Sequence, residues 1–478
     1  MCGIVGVIGS KDPAYEVSSA LFNLQHRGQD AAGMTVFNSS GMTTHKDFGL
    51  VAEVFNQEVI NSLKGDFAIG HTRYPTAGCH SSTEIQPFYV EETGLALGHN
   101  GNIANSKEIK EFLQTRGITF LSTSDTEVML QSFNLELSKF PELKISNIFT
   151  ALKQSTEHLN GSYSIICGMQ GRGILGFRDP YGIRPLVLGK RVDLNGTSYA
   201  MASETAALEA LDYSIVKDVQ PGEAVFISPD LKVTMEQLFP PQTRHCMFEW
   251  VYFSRADSVM DGKGVYETRL WLGRELAKQW KKSGIQADIV MPVPETAKPA
   301  AIAFAEDVKL PYREGLLKNA YMGRTFIMST PGKRSDSVRL KLHPVKHEIE
   351  GKRIILIDDS IVRGTTSKKI VQLLRDAGAR EVHFLVACPP IKYPCFYGVD
   401  MSTRAELIAA QHPDTEEIRR EIGADSLTYQ TIEGLTKAIG LPKEKLCTAC
   451  LDKDYPTKIT PGLFEGFQEQ RTKERASP

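Results

Sequence analysis

Cys2 stands directly behind the initiator methionine. A small second residue permits removal of Met1, which leaves the cysteine with a free α-amino group. Such an amine has a reference pKa of about 7.7–8.0, suited to act as general base for its own thiol. Nucleophile and base then share one residue, as in the N-terminal threonine arrangement. The plain alternative is an ordinary cysteine on a first strand. A second constellation is Ile354-Ile355-Leu356-Ile357-Asp358-Asp359-Ser360-Ile361-Val362-Arg363-Gly364-Thr365-Thr366. Two acids at the end of an apolar run can hold ribose hydroxyls or organise Mg²⁺. Gly364, Thr365 and Thr366 add hydroxyls and backbone N–H groups at a helix start, an anion-binding arrangement by geometry and by dipole. Here the plain alternative is a strand ending in a polar turn. A third is Cys447-Thr448-Ala449-Cys450, a C-x-x-C pair that alone is open to redox, zinc or chance.

Each of these needs an element to hold it. In the first half, short apolar runs at Ile4–Ile8, Ala31–Phe37, Ala68–Gly70, Leu95–Gly98, Ser162–Cys167 and Ile174–Phe177 read as strands. A helical pattern at Thr126–Leu137 lies among them. The mixture predicts stacked sheets with helices outside, an α+β layered domain. The second half begins with a helix near Tyr266–Trp280. Strands follow at Ile289–Pro292, Arg353–Ile357 and Val382–Cys388, with a helix over Ser367–Asp376 between the last two. Strand, helix, strand at this spacing is a βαβ unit, so this is an α/β domain with a parallel sheet. The acid pair then lies outside the carboxyl end of a parallel strand, where such folds place ligands. Pro229, Pro240 and Pro241 break regular structure across Pro229–Arg244. The division expected is residues 2–235, residues 245–460 and a polar tail over 461–478.

The chain has 478 residues, enough for two domains with cores of their own. Hydrophobic residues are 41% and charged residues 23%, ordinary for a globular protein. A formal net charge of -2 argues against a nucleic-acid binder but permits a local anion pocket. No apolar run is long enough to span a bilayer. The start has no basic leader and no signal-peptide layout, so the cytoplasm is the expected location. Disulfides are rare there, so the eight cysteines are expected in cores, as nucleophiles or as metal ligands.

The amino-terminal half carries several linked blocks. Met1-Cys2-Gly3-Ile4-Val5-Gly6 is followed by Gln25-His26-Arg27-Gly28-Gln29-Asp30 and His71-Thr72-Arg73-Tyr74-Pro75-Thr76-Ala77-Gly78. Then come Gly98-His99-Asn100-Gly101-Asn102-Ile103, Ser124-Asp125-Thr126-Glu127 and Arg178-Asp179-Pro180-Tyr181-Gly182-Ile183-Arg184-Pro185-Leu186. Together they resemble the class II glutamine amidotransferases of the N-terminal nucleophile hydrolase superfamily. The resemblance implies a layered αββα fold with Cys2 as nucleophile. It puts the oxyanion donors on the Asn100 side chain and the Gly101 N–H. Glutamine's α-carboxylate falls to Arg73 and its α-ammonium to Asp125. The chemistry agrees, since amide hydrolysis passes through a tetrahedral oxyanion and a carboxylate suits a guanidinium fork. Singly, Asn-Gly is also a common hairpin turn and Arg73 a possible surface charge. Enzymes with different acceptors share such a half.

The run Ile354–Thr366 resembles the phosphoribosyl pyrophosphate (PRPP) signature of type I phosphoribosyltransferases. Lys318-Asn319-Ala320-Tyr321-Met322-Gly323-Arg324-Thr325-Phe326-Ile327, Val338-Arg339-Leu340-Lys341-Leu342, Pro292–Ala297 and Phe248–Arg255 narrow it further. They resemble the amidophosphoribosyltransferases, glycosyltransferases that open de novo purine (IMP) biosynthesis. The resemblance runs to about Pro461. It implies glutamine and PRPP as substrates, with 5-phosphoribosylamine, pyrophosphate and glutamate as products. Lys318, Arg324 and Lys341 would reach phosphate or pyrophosphate. Thr296, Asp358 and Asp359 would organise Mg²⁺. Ala320 departs from the family, which often has a basic residue there. Ser329–Asp336 would close over PRPP and complete an ammonia passage. Feedback by purine nucleotides and a homotetramer belong to the same expectation.

One branch of that family carries a [4Fe–4S] cluster on four cysteines, and Cys246, Cys395, Cys447 and Cys450 match its pattern. Four thiolates by themselves suit iron–sulfur or zinc; the resemblance favours iron–sulfur. Relatives with a cluster often carry a propeptide, whereas here only Met1 precedes Cys2, so simpler processing is expected. Cys79, Cys167 and Cys388 are left as core or incidental cysteines. Two other readings compete. A class II amidotransferase making glucosamine phosphate or asparagine would lack the run at Ile354–Thr366. A PRPP-sensing regulator would need neither Cys2 nor the loop residues.

Overall fold

Gly3–Ile8 is buried at every position, which suits a strand covered on both faces. In the computed structural model it runs antiparallel between Phe67–Arg73 and Gly196–Ala202. These belong to a seven-stranded sheet ordered Ser214–Asp218, Val187–Asp193, Gly196–Ala202, Gly3–Ile8, Phe67–Arg73, Ala31–Asn38, Gly41–Phe48. The structure describes residues 2–74, 81–319, 341–401, 403–466 and 469. A six-stranded sheet lies against the first, ordered Val233–Gln237, Glu223–Ile227, Gly173–Arg178, Gly161–Met169, Leu95–Ile103, Phe88–Val90. Ile4, Phe37, Ile69, Ile166, Met201 and Val225 fill the space between the sheets. Outside, helix Pro13–Asn23 packs on the first sheet through Val17 and Leu21. Helices Asp125–Leu137 and Ile145–Thr156 cover the second through Phe133, Phe149 and Leu152. The layering is αββα.

The stretch Pro229–Arg244 is not broken throughout, as its prolines suggest. Val233–Gln237 forms the edge of the six-stranded sheet, paired with Glu223–Ile227. Its residues are only half-buried or exposed, so it lacks the apolar run that marks the inner strands.

The second half is built on a four-stranded parallel sheet ordered Ile289–Pro292, Arg353–Asp358, Glu381–Val386, Ser426–Tyr429. The third strand stops at Val386, short of the expected Cys388, ahead of Pro389 and Pro390, which have no N–H to donate. Helices Val265–Ser283 and Lys298–Val308 pack together beside the sheet. A Cβ on Gly273 would lie 2.0 Å from the Ala300 carbonyl oxygen, so only glycine allows that approach. Among the described residues no helix is long and apolar enough to cross a membrane.

Buried ions join the halves. Arg27 binds the Glu204 carboxylate through Nε, and through Nη2 it donates to Glu249 Oε2 at 2.8 Å and Ser254 Oγ at 2.9 Å. Arg184 Nη1 donates to Glu249 Oε1 at 3.2 Å. Glu249 opens a π-helical turn, Glu249–Phe253, a rare form that recurs at functional sites.

Candidate active sites

The pairing of Gly3 with Thr72 carries Cys2 opposite Arg73. Cys2 N–H donates to Asn100 Oδ1 at 3.2 Å, and Cys2 Sγ lies 4.0 Å from the Tyr74 carbonyl oxygen. Asn100 and Gly101 form no hairpin turn. They sit inside strand Leu95–Ile103, opposite Ser164 and Tyr163. Gly101 has φ +151°, and a Cβ there would lie 2.0 Å from the Ser162 carbonyl oxygen. Among the described residues Asn100 Nδ2 is buried without a hydrogen-bond partner, as is Thr72 Oγ1. A buried orphan costs about 1–3 kcal/mol, and such exceptions call for a reason. An amide donor poised beside a thiol has one if a substrate oxyanion completes its bonding.

Asp125 opens helix Asp125–Leu137 behind its Ser124 cap. Its Oδ2 accepts from Ile103 N–H at 2.8 Å, and its Oδ1 lies 3.8 Å from His99 Nδ1. Burial alone would raise the Asp125 carboxyl, but His99 and the backbone donors outweigh it and hold it below its ordinary value. Burial likewise opposes charge on His99, and the Asp125 carboxylate reverses that and raises it. Arg73 is buried at the end of its strand. The Gln25–Asp30 block packs on its backbone: Asp30 N–H donates to Arg73 O at 3.2 Å, and a Cβ on Gly28 would fall 2.6 Å from the Arg73 carbonyl carbon. Cys2, Arg73, Asn100, Gly101 and Asp125 thus share one neighbourhood.

The second site lies at the carboxyl edge of the parallel sheet. Asp358 ends strand Arg353–Asp358 and is buried. Asp359 N–H donates to Asp358 Oδ1 at 2.9 Å, and Ser360 Oγ to Asp359 Oδ1 at 2.6 Å. Burial first, and then the neighbouring Asp359 charge, push the Asp358 carboxyl well above its ordinary value. A cation would relieve both. Gly364 has φ +76° and a Cβ there would lie 2.4 Å from Ile408 Cδ1, so glycine is required where helix Thr365–Asp376 begins. Thr365 and Thr366 occupy the first turn, whose N–H groups have no intrahelical acceptor. Thr296 lies in the turn after Ile289–Pro292 at the same edge, since Pro292 pairs with Ile357. Lys318 and Lys341 are neighbours on a two-stranded ribbon, Lys318 pairing with Leu342 and Asn319 N–H donating to Lys341 O at 2.9 Å. Arg324, Ala320 and the loop Ser329–Asp336 lie outside the described residues.

A cavity at the start of the second half is lined by Cys246, Cys395, Cys447 and Cys450, with Ile183, Phe248 and Tyr397. A short parallel pair, His245–Cys246 with Leu446–Cys447, sets Cys246 beside Cys447. Lys392 and Tyr393 N–H groups bind the Cys450 carbonyl at 2.9 and 3.0 Å. Burial pushes the Cys246 thiol up to about 11, and Cys447 and Cys450 well above their ordinary value. All seven described cysteines are free thiols, with Cys167 and Cys388 buried in core; Cys79 lies outside the described residues. Among the described residues no three His, Cys, Asp or Glu side chains gather tightly enough for a single metal ion.

Several contributors escaped the sequence reading. His99 lies in strand Leu95–Ile103 directly before Asn100, and a buried histidine beside the Asn-Gly pair was the available signal. Arg269 is buried and donates to the carbonyls of Trp250 at 2.9 Å and Ser254 at 2.7 Å. Burial lowers its pKa to about 10, with the Asp359 charge the largest opposing pull. Its hydrogen bonds tie helix Val265–Ser283 to the π-helical turn.

Two domain families match this chain: a glutamine amidotransferase domain over residues 71–210 and a phosphoribosyl transferase domain over residues 267–395. The amidophosphoribosyltransferase of Methanothermobacter thermautotrophicus is 45% identical over 470 residues, 97% of this chain and 96% of that protein. The chain belongs to the amidophosphoribosyltransferase family. The Escherichia coli member is 42% identical, covering 92% of this chain and 88% of its own. The Bacillus subtilis member is 41% identical, covering 96% and 94%. A solved glutamine PRPP amidotransferase from B. subtilis, complexed with ADP and GMP, superposes with TM-score 0.86 at 39% identity, covering 96% of this chain and 98% of that one. This family joins a class II amidotransferase fold to a phosphoribosyltransferase fold, which is the architecture described above.

Proposed function

We propose that the two sites run one reaction between them. The activity is glutamine-dependent amination of PRPP, which gives 5-phosphoribosylamine, pyrophosphate and glutamate and opens de novo purine biosynthesis. Once Met1 is removed, the Cys2 amine takes the thiol proton and Sγ attacks the glutamine amide carbon. Asn100 Nδ2 and Gly101 N–H donate to the oxyanion. Arg73 pairs with the α-carboxylate and Asp125 with the α-ammonium. Ammonia leaves, and water then releases glutamate from Sγ. The orphaned Asn100 donor beside Cys2 carries this reading.

In the second half, Gly364, Thr365 and Thr366 present N–H groups and hydroxyls to the PRPP phosphate. Lys318, Arg324 and Lys341 draw off pyrophosphate. Asp358, Asp359 and Thr296 hold Mg²⁺, which when bound neutralises the departing pyrophosphate. The raised Asp358 carboxyl beside Asp359 suits a site completed by a cation. Cys246, Cys395, Cys447 and Cys450 hold a [4Fe–4S] cluster that contributes structure. All four cysteines line one buried cavity, which supports a shared group held by four thiolates.

A first domain that runs to Gln237, so that its edge strand stays whole rather than ending at the expected 235, a second over 245–460, a homotetramer, purine-nucleotide feedback and a cytoplasmic location complete the reading. The ADP and GMP in the solved relative support the feedback. The deciding experiment mixes purified protein, glutamine, PRPP and Mg²⁺ and measures glutamate and pyrophosphate together. Equimolar release is expected; glutamate without pyrophosphate would reject the coupled reaction. Iron and sulfide analysis after anaerobic purification tests the cluster, and zinc without iron would overturn it.

A further inference from the structure

The cysteine-lined cavity and the glutamine site stand at the two ends of one short segment, Cys395–Gly398. At one end Cys395 lines the cavity, and its Sγ accepts from Tyr397 N–H at 3.3 Å. The next two carbonyls are bound by the amidotransferase half. Asn102 Nδ2 donates to Phe396 O at 2.9 Å. Ser162 Oγ and Arg184 Nε both donate to Tyr397 O at 2.9 Å. At the other end Gly398 has φ +89°, and a Cβ there would lie 2.5 Å from Gly101 O and 2.7 Å from Gly101 C. Its backbone thus abuts the carbonyl group and Cα of the residue whose N–H is the proposed oxyanion donor. Gly101 cannot retreat, because its own Cβ position is only 2.0 Å from Ser162 O. It is clamped between its strand neighbour and this segment.

An oxyanion donor works only within a narrow geometry, so a small displacement of a clamped peptide is costly in rate. We propose that Cys395–Gly398 is a strut that holds the Gly101 N–H in register, with Gly398 as its positioning residue. The strut acts on glutamine hydrolysis, while the PRPP half keeps its own chemistry. This rests on Gly101 being an oxyanion donor. Cys395 anchors one end of the strut through the hydrogen bond that its Sγ accepts from Tyr397 N–H.

The test is Gly398→Ala, whose methyl pushes on the Gly101 peptide. The glutamine-dependent kcat should fall about tenfold or more, with KM for glutamine within about twofold, because the lost interaction is made only in the transition state. Ammonia-dependent synthesis and iron content should not change. A second readout is binding of glutamate γ-semialdehyde, whose thiohemiacetal oxygen occupies the oxyanion position. Its affinity should fall in Gly398→Ala and also in Cys395→Ser. If Gly398→Ala does not fold, Asn102→Ala removes one tether and should shift both readouts in the same direction by less. Wild-type kcat and aldehyde affinity in a folded Gly398→Ala protein would overturn the strut, as would equal loss with ammonia. If Asn100→Ala also leaves aldehyde binding unchanged, the oxyanion assignment fails instead.

Discussion

Two buried polar clusters lie close together in this molecule and are finished differently. Around Glu204 and Glu249 every charge is answered: Arg27 binds both acids, Arg184 binds Glu249, and Ser254 and Ser258 supply further hydrogen bonds. Around Cys2 the bonding is left open, with Asn100 Nδ2 and Thr72 Oγ1 lacking partners among the described residues. Satisfaction suits scaffold, and an open donor beside a nucleophile suits a site that a substrate completes. The satisfied cluster also crosses between the halves, since Arg27, Arg184 and Glu204 come from the first and Glu249, Ser254 and Ser258 from the second.

The sharpest break in that contrast is Cys2→Ala. Glutamine-dependent pyrophosphate release should drop about 10⁴-fold or more, while ammonia-dependent release stays near wild type. Equal loss with both nitrogen sources, in folded protein, would deny that the open cluster serves only one half-reaction. Glu249→Ala probes the closed cluster, leaving Arg27 and Arg184 without that buried carboxylate. Thermal or denaturant unfolding should show a loss of about 3–5 kcal/mol; a change under 1 kcal/mol would mean the network holds little. Asn100→Ala should do the reverse. It lowers glutamine-dependent kcat about 10²–10³-fold with a smaller fall in melting temperature than Glu249→Ala, because only the 3.2 Å hydrogen bond from Cys2 N–H to its Oδ1 is lost.

The smallest effect is on pH. Burial opposes ionisation of Glu204 and Glu249, but Arg27 outweighs it for both acids, with His26 adding to Glu204 and Arg184 to Glu249, and both carboxyls sit below their ordinary value. Carboxyls depressed in the folded state add stability that is full above the unfolded pKa of about 4.3 and is lost as pH falls below it. Melting temperature should therefore hold near neutrality and decline through the acid range. Glu249→Gln should show a shallower decline, and an identical slope would remove Glu249 from the acid response.

Much of the fold was legible because inner strands write themselves as apolar runs: Ile4–Ile8, Ser162–Cys167 and Arg353–Ile357 all lie within observed strands. Val233–Gln237 was hidden because an edge strand has one half-exposed face and flanking turn residues. The acid pair and the Gly-Thr-Thr turn were readable because local sequence alone sets that geometry. The ion network was not. Arg27 meets Glu204 and Glu249 across separations of 177 and 222 residues, and charged residues so far apart read as surface until the chain is folded. The four-cysteine cavity depends equally on long-range pairing: only the Cys447–Cys450 spacing is local, and Cys246 and Cys395 were found through the family resemblance.

That pairing has a consequence for the order in which the protein comes into being. Cys246 lies at the head of the second half and Cys447 near its end, yet they are neighbours on paired strands. A ribosome delivers the first of them long before the last. The amidotransferase sheets, complete by Gln237, can form while the second half is still being made. Closure of the strap from His245 to Leu446 waits for almost the final codons. Completion of the four-cysteine cavity is thus a late event: a truncated product retains the nucleophile domain but has no means of sealing the seam beneath it.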